Sequence, residues 1–298
     1  MNVLCGNGSE NTYRIIILES RLPRATAAIL GGGGLALSGL LMQTLFRNPL
    51  AGPSVLGITS GASLGVALTV LAVGGSISAS STIALTALAA LAGAFIVLFI
   101  VMAVAEKLSD NTALLIFGIM LSFFTGAIVN ALQFKSSNES LRSFINWGMG
   151  SFAETSKPEI VILALSVVIG IFITAFILPR LNLLLLGEDY AQSMGVNVRG
   201  TRLLIILATG ILAGIITAFC GPVSFIGLAV PHLVRTWLRT SNHPRLFVPV
   251  ILAGATIGVL CDLLARLLEL PLNTIASALG APVVVYIVLR GTKSKAII

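Results

Sequence analysis

Between Asn48 and Ala105 the chain runs for 58 residues without an Asp, Glu, Lys or Arg. A hydrocarbon core of about 30 Å takes about 20 helical residues to cross, so this one stretch holds two crossings. Gly74-Gly75-Ser76, with Ser78, Ser80 and Ser81, marks the turn between them. Further uncharged runs cover 25–46, 111–134, 160–179, 203–234, 246–261 and 270–289. The run 203–234 is too long for one helix and breaks at Gly221-Pro222, and the run from 246 extends to Arg266, whose stem can snorkel. Continuous helices are the simplest way to satisfy backbone groups away from water. The expected fold is therefore an all-α polytopic membrane protein. Nine transmembrane helices are predicted at roughly 24–46, 52–73, 82–105, 112–133, 159–179, 202–220, 223–238, 246–266 and 271–290. The seventh is short and carries Pro231.

Charge supports this reading. Soluble domains carry about 25% Asp, Glu, Lys and Arg; here the figure is 10%, with a mean hydropathy of +1.03. That excludes a cytosolic enzyme, a nucleic-acid binder and a disulfide-stapled secreted domain. The net charge of +7 is scattered between apolar runs, with no basic stripe and no aromatic interleaving. Cys5, Cys220 and Cys261 are too few and too dispersed for a disulfide framework, and the latter two read as small packing residues. No lipoprotein signal or cleavable signal peptide is expected at the start.

The basic residues set the expected orientation. One alternate set of connecting segments holds eleven (Arg47, Lys107, Arg180, Arg199, Arg202, Arg235, Arg239, Arg245, Arg290, Lys293, Lys295) and the other seven. The richer side is cytoplasmic by the positive-inside rule, which puts the C-terminus inside.

Glycines recur at helix-packing spacing: Gly57, Gly61 and Gly65; Gly210 and Gly214; Gly254 and Gly258. Such spacing lets helix backbones approach closely, here within one bundle. Gly31–Gly34 lacks the Gly-Lys-Ser/Thr continuation of a phosphate loop. Asp262, Arg266 and Glu269 cluster at one membrane edge, and no acidic residue is expected at mid-depth, where proton- or sodium-driven carriers place theirs. His232 and His243 lie near the inner face, where a helix-end hydrogen bond is the expected role rather than metal ligation. Three classes compete on these grounds: a permease driven by a partner, an ion-gradient-driven secondary transporter and a membrane-lipid enzyme. The first fits best, because energy can enter through a partner pressing on a cytoplasmic loop.

The best such loop is 180–202. Glu188 and Asp189 favour a helix N-terminus, Gly195 can stop that helix, and Asn197 can cap the next. A short surface helix followed directly by a spanning one is expected.

Five blocks resemble one family in order along nearly the whole chain. They are Arg21-Leu22-Pro23-Arg24; Gln43-Thr44-Leu45-Phe46-Arg47-Asn48-Pro49-Leu50-Ala51 running into Leu56–Ala62; Gly187–Gly195; Gly221–His232; and Leu270–Asn273 through Gly280-Ala281-Pro282. The family comprises the permease subunits of ATP-binding-cassette importers for iron chelates, haem and cobalamin, the type II importers. The resemblance implies one transmembrane permease domain over 1–298, with 1–23 an external N-terminal segment and 180–202 a cytoplasmic coupling loop. Members have ten spans. Residues 1–20 resemble the loop after the first of these, so the first helix is expected to be missing here through a late start site or truncation.

The same resemblance implies partners. They are a second copy of the chain in a homodimer, two ATP-binding cassette subunits on the cytoplasmic face, and a periplasmic solute-binding protein, all in an inner-membrane bilayer. The chain itself has no catalytic residue, cofactor or metal; ATP and magnesium belong to the ATPase subunit, and no nucleic acid is involved. ATPase coupling is carried over to Gly187, Glu188, Asp189, Ala191, Met194 and Gly195, with Glu188 and Gly195 first. Docking of the binding protein falls to Arg21, Arg24 and Arg266. Gating falls to Asn48, Pro49, Ser109, Asp110, Asn111 and Thr112, although helix capping by Ser109 or Asn111 explains the same loop. Residues Leu141 to Phe152 are expected to form an external interfacial helix anchored by Trp147.

Overall fold

The computed structural model describes residues 15–72, 79–108 and 110–295, and every regular element among them is helical. The turn expected at Gly74–Ser78, the gate candidate Ser109, Cys5 and the first fourteen positions of the external segment lie outside the described residues.

A π turn, Ile16–Arg21, runs directly into α1, Leu22–Leu45. Helix therefore begins earlier than residue 24, inside the stretch expected as the external segment. Pro23 has no N–H, and its ring crowds the carbonyl four residues back. The widened turn, in which the Leu22 N–H reaches the Ile17 carbonyl, relieves that crowding and lets the helix run through.

The second expected crossing, 52–73, is only partly helical. Residues 48–57 form a loop with a short 3-10 turn, Pro53–Leu56, in which Ala51 and Leu56 are buried. Gly57, at φ +77°, then redirects the chain, a left-handed conformation open to glycine without strain. Helix α2 follows as Ile58–Ala67, continued by a π turn, Leu68–Ala72. The fifteen residues span about 22 Å, and the stretch continues into positions outside the described residues.

The remaining helices are α3 (Ala79–Lys107), α4 (Asn111–Lys135), α5 (Asn138–Gly148), α6 (Lys157–Leu186), α7 (Glu188–Ser193), α8 (Val198–Cys220), α9 (Ile226–Leu238), α10 (His243–Leu267) and α11 (Leu272–Lys295). Six stretches among the described residues are long and apolar enough to cross a membrane: Ile16–Leu45, Leu85–Lys107, Asn111–Lys135, Lys157–Leu186, Val198–Cys220 and His243–Leu267. Shorter apolar helices occupy Ile58–Ala72 and Leu272–Val285. The break at Gly221-Pro222 stands where the sequence put it. Gly221 and Phe225 both take positive φ there, and α9 is only 13 residues long.

Two expected boundaries move. Helix α6 does not stop at Pro179; it carries on to Leu186 with the proline inside it. Leu181 and Leu184 are buried in the bundle, and that packing outweighs the single backbone bond the proline removes. Helix α5 starts at Asn138 and ends at Gly148, rather than covering 141–152, because the Ser137 hydroxyl caps it by accepting from the Ser140 N–H. Trp147 is half-buried, with its ring centroid 6.2 Å from that of Phe144. Trp237, near the end of α9, is the exposed indole.

Helix α1 lies at the centre, packed against α6, α8, α9 and α10, while α8 also packs on α3 and α6. The glycines allow this closeness. Gly32 lies against the backbone of Gly254 and Gly258, Gly39 against Gly227, and Gly61 and Gly65 against Gly93 and Ala89. The glycine spacing thus serves packing within one chain, and Gly31–Gly34 is buried helix, not a phosphate-binding loop. Cys220 and Cys261 are buried free thiols.

Candidate coupling site

The short helix α7 sits between two long ones and is tied down on one side only. Gly187 precedes it at φ +129° and Gly195 follows at φ +81°, backbone regions that L side chains rarely adopt. The Gly195 N–H donates to the Gln192 carbonyl at 2.9 Å, and the Asn197 side chain caps α8 by accepting from the Gly200 N–H at 2.9 Å. Both the stop and the cap are those read from the sequence.

Within the expected coupling set the side chains divide by direction. Ala191 is fully buried and seats α7 on the bundle. Met194 is 59% exposed and lies four residues from Tyr190 (49%), itself four from Leu186 (66%). Leu186 is the exposed last residue of α6, before the break at Gly187, while Tyr190 and Met194, one turn apart, form an exposed apolar ridge. Asp189 and Gly195 are exposed beside it.

Glu188 turns the opposite way. Its carboxylate pairs with the Arg202 guanidinium through Nη2 at 3.0 and 3.1 Å and accepts from Asn111 Nδ2 at 2.5 Å. The same Asn111 Nδ2 donates to the Leu45 carbonyl at 2.9 Å, and Arg202 Nη1 donates to the Leu108 carbonyl at 2.5 Å. The Arg202 side chain is only 3% exposed. Counted by sequence as one more cytoplasmic charge, Arg202 is in fact the centre of this cluster. What could have revealed it is its position one helical turn past the Asn197 cap, where α8 has already turned into the bundle.

The gate candidates separate in the same manner. Asp110, not Ser109 or Asn111, is the N-cap of α4: its carboxylate accepts from the Thr112 and Ala113 N–H groups at 2.9 and 3.2 Å. The hydrogen bond from Thr112 holds this exposed carboxyl below its ordinary range, so the cap stays ionised at neutral pH and is lost only in acid. Asn111 joins the Glu188 cluster, and Asp110, Asn111 and Thr112 line, with Arg47, Gly187 and Tyr190, a cleft of about 560 Å³ beside α7. The structure thus brings the expected coupling segment and this loop together, although 77 positions separate Asn111 from Glu188. Asn48 and Pro49 form the tight turn after α1. The Asn48 side chain accepts from the Leu50 N–H at 2.9 Å, and the Pro49 carbonyl accepts from Gln43 Nε2 at 3.0 Å. Gln43 Nε2 also donates to the Leu228 carbonyl at 2.9 Å, linking this turn to α9.

Nearby, His243 makes the helix-end contacts expected of it. Its Nε2 lies 2.7 Å from Thr44 Oγ1 and its Nδ1 2.8 Å from Asn182 Oδ1, tying α10 to α1 and α6.

The three arginines assigned to docking gather at the opposite end of the α1–α10 pair. Arg21 and Arg266 are exposed. Arg24 is held within the chain by Asp262, with Nε 2.7 Å from the carboxylate and the two side chains 26% and 15% exposed. Arg24→Ala would leave a largely buried carboxylate unpaired, and we expect it to lower stability by about 1–2 kcal/mol. Arg21→Ala should leave the thermal melt of the detergent-solubilised protein unchanged. Equal melts for the two variants would contradict the pairing.

Comparison with known proteins agrees with this geometry. The pattern that defines the FecCD transport family matches residues 1–290. The vitamin B12 import system permease protein BtuC of Yersinia enterocolitica is 34% identical over 286 residues, 94% of this chain and 83% of that protein. Its namesake from Salmonella paratyphi A is 34% identical over 283 residues, 94% of this chain and 85% of that protein. A solved structure described as an inward-facing conformation of a metal-chelate type ABC transporter superposes with a TM-score of 0.84 at 32% identity. It covers 95% of this chain and 90% of its own.

Proposed function

The chain belongs to the FecCD transport family, and on that premise we propose that it is the membrane permease subunit of an ATP-driven importer of an iron chelate (siderophore or haem) or cobalamin. It works by alternating access across the inner membrane. The whole chain acts as one permease domain with nine crossings and a cytoplasmic C-terminus, paired with a second copy around a shared path. Hydrolysis takes place in two separate ATP-binding subunits, which bind the ATP and magnesium. A periplasmic binding protein delivers the cargo to the outer face, where the exposed Arg21 and Arg266, with Arg24 in its ion pair, steer it.

One observation carries the reading: a six-residue helix between two long ones, seated by Ala191, leaves Tyr190 and, at its C-cap, Met194 exposed. Exposed apolar ridges of this kind serve as partner contacts. Motion of the ATPase against α7 then reaches the bundle without covalent chemistry in this chain.

The test is uptake by vesicles holding the permease with its ATPase subunits and binding protein, offered cyanocobalamin, haem and a ferric hydroxamate in parallel. We expect accumulation of one of the three that requires ATP and the ATPase. Accumulation by the permease alone under a proton gradient would overturn the reading.

A further inference from the structure

We infer that the Glu188–Arg202–Asn111 cluster is a transmission joint, in which Arg202 is the positioning residue that fixes the coupling helix to the inner ends of α1, α3 and α4. This rests on the function proposed above and adds to it how the movement is delivered.

The argument starts from which groups are joined. A helix leaves its last carbonyls without intrahelical partners and carries partial negative charge there. The Leu45 carbonyl closes α1 and the Leu108 carbonyl follows α3; the first accepts from Asn111 and the second from Arg202. Both donors meet again on one carboxylate, that of Glu188, at the first position of α7. A single side chain of the coupling helix is therefore wired to two helix ends and, through Asn111, to the start of α4.

Stability alone does not account for this arrangement. A buried ion pair contributes no more to stability than well-packed apolar side chains of the same volume. Directional hydrogen bonds add something apolar packing lacks: they need a narrow range of donor–acceptor distance and weaken steeply as the angle bends. When α7 is displaced, the inner ends of α1, α3 and α4 either follow it or the joint breaks. The apolar ridge on the outer side of α7 receives the push, and Glu188 on the inner side passes it on.

The experiment measures cargo accumulated per ATP hydrolysed in vesicles holding the whole complex, using whichever of the three cargoes the unmodified protein takes up. For Arg202→Gln we expect the ATPase to co-purify and hydrolyse as before while cargo per ATP falls by about tenfold or more, the scale of coupling between linked sites. Arg202→Lys should recover part of the ratio. An unchanged ratio in Arg202→Gln overturns the joint, as does a fall that appears only together with loss of the ATPase from the complex. Should Arg202→Gln fail to accumulate, Asn111→Ala cuts the α1 link and spares the ion pair; a normal ratio there also overturns the proposal. Absence of uptake by the unmodified complex would instead count against the transport reading itself.

Discussion

Gly39→Val should prevent recovery of folded protein from the membrane, as followed by size-exclusion chromatography of a fluorescent fusion. A Cβ at Gly39 would fall inside the van der Waals radius of the Gly227 carbonyl oxygen, so α1 and α9 would have to part along their whole contact. Overpacking against mobile side chains typically costs about 1–3 kcal/mol. Here the obstacle is backbone on both sides, and the cost lies at or beyond that range even for alanine. Gly126→Ala is the control. Nothing lies within 4 Å of a Cβ there, and the variant should melt at or slightly above the parent temperature, since alanine favours a helix interior by about 0.5–1 kcal/mol. A well-folded Gly39→Val protein would show that the two helices do not meet at this point.

The second large effect concerns the ridge on α7. In the double variant Tyr190→Asp with Met194→Asp, the ATPase subunit should no longer co-purify and ATP-driven uptake should vanish. The thermal melt of the isolated permease should be unaltered, because both side chains are already exposed. Residues central to an interface commonly cost about 2 kcal/mol or more each when truncated, so two together weaken binding by about a thousandfold. Retained co-purification would place the ATPase contact elsewhere on the molecule.

Much of this architecture was legible from the residues alone. Uncharged runs located the long helices, Gly221-Pro222 located the break before α9, and Gly195 with Asn197 marked the end of α7 and the start of α8. Each of these signals is local, a property of the backbone or of a side chain reaching its own neighbours. What escaped was decided by tertiary packing. The charge at Arg180 ended the uncharged run, yet buried Leu181 and Leu184 hold the helix beyond it. The expected start at residue 24 missed the π turn that carries the helix back through Pro23 to Ile16. Arg202 and Glu188 look like surface charges, since nothing in composition reveals that a guanidinium at the mouth of α8 faces the ends of three other helices. The resemblance marks Gly187–Gly195 as an expected coupling segment, but not which of its side chains turn outward and which turn inward.

The contact between α1 and α10 bears on which parts of the molecule can shift. Gly32 rests on the backbone of Gly254 and Gly258, and Arg24 clasps Asp262 about two turns away along α1. Sliding one helix along the other would drive side-chain carbons into main-chain atoms, so this pair has no smooth path of relative travel. It behaves as a single strut. In an alternating-access cycle of the kind proposed above the strut would travel as one piece, and Gly57 and Gly221–Phe225, where helix gives way to loop, are the places left for the chain to bend.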